Sequence, residues 1–178
     1  MQFSERSKIL HDLVVASGQP RPRNVWTAYT DIEQRTADAR MKLLILRRAA
    51  EYASTALEIG FGAGAGAAYL LGCNDNLKLV SCDLGDAPYA DACLAQVQEW
   101  FADRVTRVKG DSTVTVPALE PQVFGLIFID GGKDYDTVAA DIANCAAFAD
   151  RNTWLVVDGY ANPDVAAAVK EAVEAKRI

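Results

Sequence analysis

Leu57-Glu58-Ile59-Gly60-Phe61-Gly62-Ala63-Gly64-Ala65-Gly66 is the stretch whose reading decides the fold. A short apolar run ends in a glycine-rich turn, and a helical segment of small residues follows from about Gly64 to Leu71. Glycine at a strand-to-helix turn permits the tight bend and lets a ligand come close to the backbone. The plain alternative is a flexible Gly/Ala loop, and the strand–helix context speaks against it. The turn indicates a nucleotide or nucleoside without choosing one, because G-x-G-x-x-A is satisfied as well and would suit NAD or FAD.

Outward from this turn the same alternation continues. Apolar runs occur at Ala56–Ile59, Leu77–Cys82, Val105–Val108, Leu126–Ile129 and Trp154–Val157. Between and after them the spacing predicts helices over Pro88–Ala102, Tyr135–Ala149 and Pro163–Lys176, with Pro88 and Pro163 in first helical turns. A short helix broken by Pro117 is expected between Asp111 and Gln122. Continuous apolar strands separated by helices imply a parallel sheet covered on both faces. The expected fold is α/β, a Rossmann-like three-layer αβα sandwich with a mostly parallel sheet of about five strands.

Upstream, a helix is expected from Ser4 to Ala16, stopped by Gly18 and Pro20, followed by a loop over Gln19–Tyr29. Thr30 and Glu33 have capping-box spacing and should open a helix reaching Tyr52. Residues 1–53 thus read as an N-terminal helical segment and 54–178 as the ligand-binding part of one structural domain.

The bulk properties narrow the partners. With 178 residues, 51% hydrophobic and 24% charged, the chain is long enough for one sizeable core. The net charge is −6, and there is no basic cluster beyond short pairs such as Arg47-Arg48, which argues against nucleic acid. The charged, amphipathic N-terminus lacks the features of a signal peptide. No run approaches the roughly 20 apolar residues that cross a bilayer, so no membrane partner is expected. Cys73, Cys82, Cys93 and Cys145 form no C-x-x-C pair and read as reduced thiols of a cytoplasmic protein.

The carboxylates narrow the ligand. Glu58, Asp83, Asp111, Asp130 and Asp158 each stand at or just after the end of an apolar run. In a parallel α/β sheet those ends line the ligand edge. Any one of the aspartates could be a helix cap or a solvated loop residue. Together they describe an acidic rim that would repel a diphosphate at the glycine turn and attract a cation. A nucleoside carrying a sulfonium and an ammonium, as S-adenosylmethionine does, fits better than NAD.

Glu58-x-Gly60-x-Gly62-x-Gly64 resembles the first motif of class I S-adenosylmethionine-dependent methyltransferases, and Ser81-Cys82-Asp83 resembles the second. Gly110-Asp111-Ser112 is similar to the loop that contacts adenine in that superfamily. The resemblance spans roughly Thr55 to Pro163. It implies that Glu58 supports the methionine end and that Gly60, Phe61, Gly62 and Gly64 belong to the cofactor site. By the same resemblance Asp83 takes the ribose, Asp111 and Ser112 frame the base, and Leu84 and Asp130 belong to the cofactor site.

The stretch from Leu126 through Asp130-Gly-Gly-Lys133-Asp-Tyr135 resembles a segment of small-molecule O-methyltransferases of the catechol and caffeoyl-CoA type and their bacterial relatives. There the matching Asp binds a divalent metal and the Lys takes the proton of the acceptor hydroxyl, so Asp130 and Lys133 are the catalytic candidates. Metal-dependent relatives carry an Asp-Asn pair on the fifth strand. Here the pair is Asp158-Gly159, which argues against a metal. Asp130 and Asp158, completed by water, are the candidates if one binds.

Alternatives stay open for several side chains. Lys133 could be a surface lysine opening the next helix, and Tyr135 a packing residue. His11, the only histidine, reads as a surface or packing residue. Trp26 and Tyr29 could form a lid or an interface. The resemblance implies a methyltransferase acting on a hydroxyl of a small molecule. The competing readings are an NAD-dependent oxidoreductase and a non-catalytic cofactor-binding or scaffold domain. Class I domains usually add a C-terminal strand pair, which is not seen before Ile178. The outer edge of the fifth strand is therefore expected to be covered by a homodimer or another partner.

Overall fold

All five apolar runs become strands of one parallel sheet. The computed structural model describes residues 1–19, 37–176 and 178. Two helices come first, α1 (Phe3–Ala16) and α2 (Ala37–Tyr52), followed by β1 (Thr55–Ile59), α3 (Ala65–Cys73) and β2 (Lys78–Asp83). Then come α4 (Ala90–Phe101), β3 (Val105–Lys109), α5 (Ser112–Thr115) and β4 (Leu126–Ile129), and the chain closes with α6 (Tyr135–Ala146), β5 (Trp154–Val157) and α7 (Pro163–Glu174).

The strand order is β3-β2-β1-β4-β5, with every pair parallel. The chain starts in the middle at β1, moves out to β3, then crosses to β4 on the other side. At such a reversal the segments leaving two neighbouring strands part from one another, and a crevice opens at the strands' carboxyl ends. Here the parting lies between β1 and β4.

Side chains alternate across the sheet, and the two faces carry separate cores. On one face Ala56, Leu79, Leu126 and Phe128 pack with Leu10 and Val14 of α1, Leu46, Ala49 and Ala50 of α2, and Leu70 and Leu71 of α3. On the other, Leu57, Ile59, Ile127 and Ile129 pack with Val138 and Ile142 of α6 and Val165 of α7. This is the expected three-layer Rossmann-like sandwich. Leu57 is fully buried at its centre, and truncating such a side chain to alanine costs about 2–5 kcal/mol.

Three differences from the sequence reading have local causes. Pro88 lies before α4, not in its first turn: Ala90 N–H donates to Ala87 O at 2.9 Å, closing a turn with Pro88 in the position where a fixed φ helps most. Helix α6 ends at Ala146, and the three residues after it are held by tightened i→i−3 bonds such as Phe148 N to Cys145 O at 2.9 Å. Helix α3 runs on to Cys73. The cap expected at Thr30–Glu33 and the aromatic pair Trp26 and Tyr29 lie outside the described residues. Among the described residues no helix is long and apolar enough to cross a membrane.

Candidate active site

The glycine turn is shaped by how closely three strand ends meet. Gly60 adopts φ +96°, and a Cβ there would stand 2.6 Å from the carbonyl oxygen of Asp130. Only glycine tolerates both the left-handed backbone and this approach. Its N–H donates to Cys82 O at 2.8 Å, while Asp130 N–H donates to Ile59 O at 2.8 Å, so the exits of β1, β2 and β4 are stitched together. Asp83 then pins the turn from β2. It accepts from Gly62 N–H at 3.0 Å and from Gly85 N–H at 2.7 Å.

Glu58 lies beneath this turn. Parallel pairing sets Glu58 opposite Ser81, and the Ser81 hydroxyl donates to its carboxyl at 2.7 Å. The side chain is buried. Gly66, in the first turn of α3, makes the space, since a Cβ there would stand 2.3 Å from Oε1 of Glu58. Burial pushes the Glu58 carboxyl up to about 8, against the opposing pull of the Ser81 hydrogen bond and with Asp130 and Asp83 adding to the rise.

At the other end of the cleft two carboxylates meet two lysines. Lys42, reaching in from α2, stands 3.1 Å from Asp130 and 2.9 Å from Asp158. Lys133 stands 2.9 Å from Asp130 and 3.8 Å from the Asp158 carboxylate, and donates to the Asp158 carbonyl oxygen at 3.2 Å. Burial alone would raise Asp130, but Lys42 and Lys133 outweigh it and hold the group below the usual carboxylate range. Lys42 also lies 5.3 Å from the Phe128 ring centre, a cation–π contact.

The expected rim of five equal negative charges is therefore corrected. Burial favours the protonated form of Glu58, and Asp130 and Asp158 are balanced by two lysines. Of the five, Asp83 and Asp111 face the cleft with backbone or hydroxyl donors as their partners. Asp111 caps α5, accepting from Thr113 N–H at 2.9 Å and from the Thr113 hydroxyl at 2.7 Å, which lowers its carboxyl.

Glu58, Gly60, Phe61, Gly62, Asp83, Leu84, Asp111, Ser112, Asp130, Lys133 and Asp158 all line one cleft of about 890 Å³. Gly64 stands behind it as the N-cap of α3 at φ +79°, beside the rings and methyls of Phe61 and Val97. Tyr135 does not enter the cleft; its hydroxyl donates to Glu171 on α7 and its ring packs against the second core. His11 stays on α1 beside Asp12. The sequence reading missed Lys42 and Gly66. Helical spacing held a clue to the first, because Lys42 shares a face with Leu46 and Ala49 and so points toward the core side of α2.

The family model for methyltransferase domains matches residues 57–160, from the middle of β1 to just beyond β5. The chain belongs to the methyltransferase domain family. No curated protein matches the sequence of this methyltransferase. Solved structures of similar fold include cofactor-bound Rv0187 from MTB, 22% identical with a TM-score of 0.70, covering 96% of this chain and 76% of that one. They also include the O-methyltransferase of Bacillus cereus in complex with SAH, 16% identical with a TM-score of 0.69, covering 96% and 78%. A third is the O-methyltransferase TomG from Streptomyces achromogenes, involved in tomaymycin synthesis and bound to SAM, 17% identical with a TM-score of 0.69, covering 96% and 77%. At these identities the likeness shows the fold of this methyltransferase, and the family match shows its class.

Proposed function

We propose that this methyltransferase takes its methyl group from S-adenosylmethionine and delivers it to a hydroxyl oxygen of a small molecule. The observation that carries the reading is the single cleft with the glycine turn and Glu58 at one end and the Asp130–Lys133 pair at the other. Its volume suits a nucleoside-sized ligand with room for a small acceptor. Relatives of the same fold crystallised with SAH or SAM, and described as O-methyltransferases, add support.

In this reading the cofactor supplies an electrophilic methyl on a sulfonium, and the residues of the chain do the rest. Glu58 and the Gly60–Gly62 turn hold the methionine end, where a buried carboxyl that can give up its proton suits an ammonium. Asp83 keeps acceptor capacity for ribose hydroxyls beside Leu84, and Asp111 with Ser112 borders the base. Asp130 anchors Lys133, and Lys133 removes the acceptor proton as the carbon–oxygen bond forms. Alignment of the two reactants in the cleft carries most of the acceleration, and the base adds to it.

Two finer assignments go with this reading. The edge of β5, unpaired among the described residues and with Trp154 44% exposed, suits pairing with a second copy as a homodimer. Four unpaired thiols suit a reducing, cytoplasmic setting. Calorimetric titration with S-adenosylmethionine, S-adenosylhomocysteine and NAD tests the cofactor, with micromolar binding of the first two and none of NAD expected. Labelled methyl transfer to a panel of phenols, aliphatic alcohols and amines tests the acceptor. Binding of NAD alone, or transfer to nitrogen only, overturns the proposal.

A further inference from the structure

Two carboxylates brought together at the end of a cleft need a cation, and this chain supplies its own. Asp130 and Asp158 leave β4 and β5 side by side, and the Lys42 ammonium bridges them at 3.1 and 2.9 Å. Lys133 closes the cluster from the other side. An ion placed between the carboxylates would stand against the Lys42 ammonium that already bridges them. The backbone adds a second obstacle. Gly159, the residue after Asp158, is left-handed at φ +88°, and a Cβ there would meet the Lys133 stem at 3.3 Å. A ligand side chain in place of Gly159 would press against the Lys133 stem. Among the described residues no group of three or more metal-ligating side chains occurs. A divalent metal does not fit this donor set.

We propose that Lys42 occupies the place of a divalent cation in this methyltransferase, bridging Asp130 and Asp158 and, with Lys133, stabilising the negative charge that develops on the acceptor oxygen. The inference deepens the proposed function and rests on the acceptor binding at the Asp130–Lys133 end. It narrows the acceptor to hydroxyls that carry that charge well, phenols before simple alcohols, because two ammonium groups stabilise an oxyanion without the polarising power of a metal. No step requires an added metal: the acceptor O–H proton goes to Lys133 in its amine form, which thereby becomes the second ammonium, the oxygen–carbon bond forms as the carbon–sulfur bond breaks, and the Lys42 charge is the same before and after.

The test uses the full chain and Mn²⁺ as probe, read by the electron paramagnetic resonance signal of the free ion. The wild-type protein is expected to leave that signal undiminished, while Lys42→Ala, which removes the resident cation and leaves two facing carboxylates, gains Mn²⁺ affinity by ~tenfold or more. Circular dichroism checks that the variant folds, and Lys42→Met repeats the measurement with the side-chain volume kept. Wild-type binding of Mn²⁺ at this site, abolished by Asp158→Asn, overturns the proposal, and so does equal binding by wild type and Lys42→Ala. These readouts need no acceptor, so they stand even where the hydroxyl assignment fails. With an acceptor in hand, phenol methylation is expected to survive EDTA treatment. Lys42→Met is expected to lower kcat with little change in the KM for S-adenosylmethionine; unchanged kcat reduces Lys42 to a structural ion pair.

Discussion

The buried Glu58 carboxyl makes a prediction that needs no substrate. Glu58→Gln keeps the shape and the acceptor for the Ser81 hydroxyl while removing the titration. In the wild-type protein burial lifts this group from 4.5 to about 8. At 1.36 kcal/mol per unit, that rise corresponds to about 5 kcal/mol of pH-dependent stability. The sign follows from where the proton is held more tightly. The folded protein binds it better than the unfolded chain, so the contribution is complete below pH 4.5 and is lost progressively as pH rises to about 8. The Gln variant lacks this loss. Urea unfolding followed by circular dichroism at pH 5, 6, 7 and 8 should show the stability of Glu58→Gln, relative to wild type, growing by about 3–4 kcal/mol across the range. Parallel pH profiles for the two proteins would refute the reasoning and mean that Glu58 is already ionised in the free protein. The same proton gives a second readout. A cationic ligand at Glu58 should expel it, so the calorimetric enthalpy of S-adenosylmethionine binding near neutral pH should depend on the ionisation enthalpy of the buffer.

Further perturbations test neighbouring parts of the argument. Gly66→Ala sets a methyl 2.3 Å from Glu58 Oε1 and should destabilise the fold by about 1–3 kcal/mol, with weaker cofactor binding, both measurable by thermal melts with and without S-adenosylmethionine. Lys133→Met should lower kcat by ~10²–10⁴-fold and leave the S-adenosylmethionine Kd nearly unchanged in calorimetry; full retention of turnover removes Lys133 from the role of base. Asp141 is fully buried on α6, and burial raises its carboxyl against the opposing pull of the Ser112 hydroxyl. Its folded form therefore loses stability as pH rises above the ordinary carboxylate value, and Asp141→Asn should gain more over wild type at pH 8 than at pH 5 in urea melts.

The strands and the glycine turn were legible because each is a local signal. Leu126–Ile129 is aliphatic or aromatic throughout and bounded by Gly125 and Asp130, and the observed ends of the five strands fall within a residue of those read from sequence. The acids at the strand ends were equally legible. What each acid does was not, because that depends on partners far away in the chain. Lys42 meets Asp130 across 88 positions, and no motif around Lys42 announces it. The neutral state favoured for Glu58 depends on Gly66 letting α3 close over it and on Ser81 facing it from β2, which become visible once β1 and β2 are set in register. Pro88 shows the same limit at short range, since a proline suits both a helix start and the turn before one.

The central position of β1 has a consequence for how this chain is made. Ala56 pairs with Leu79 on one side and Leu126 on the other. The first neighbour leaves the ribosome soon after β1, whereas the second follows only after β2, α4 and β3 have been synthesised. At about 5–20 residues per second the interval lasts several seconds. Throughout it the edge of a strand destined for the middle of the sheet is bare and apolar, open to any passing extended segment. Yield from a heterologous host should therefore respond to growth temperature and chaperone supply more than to changes at the cleft.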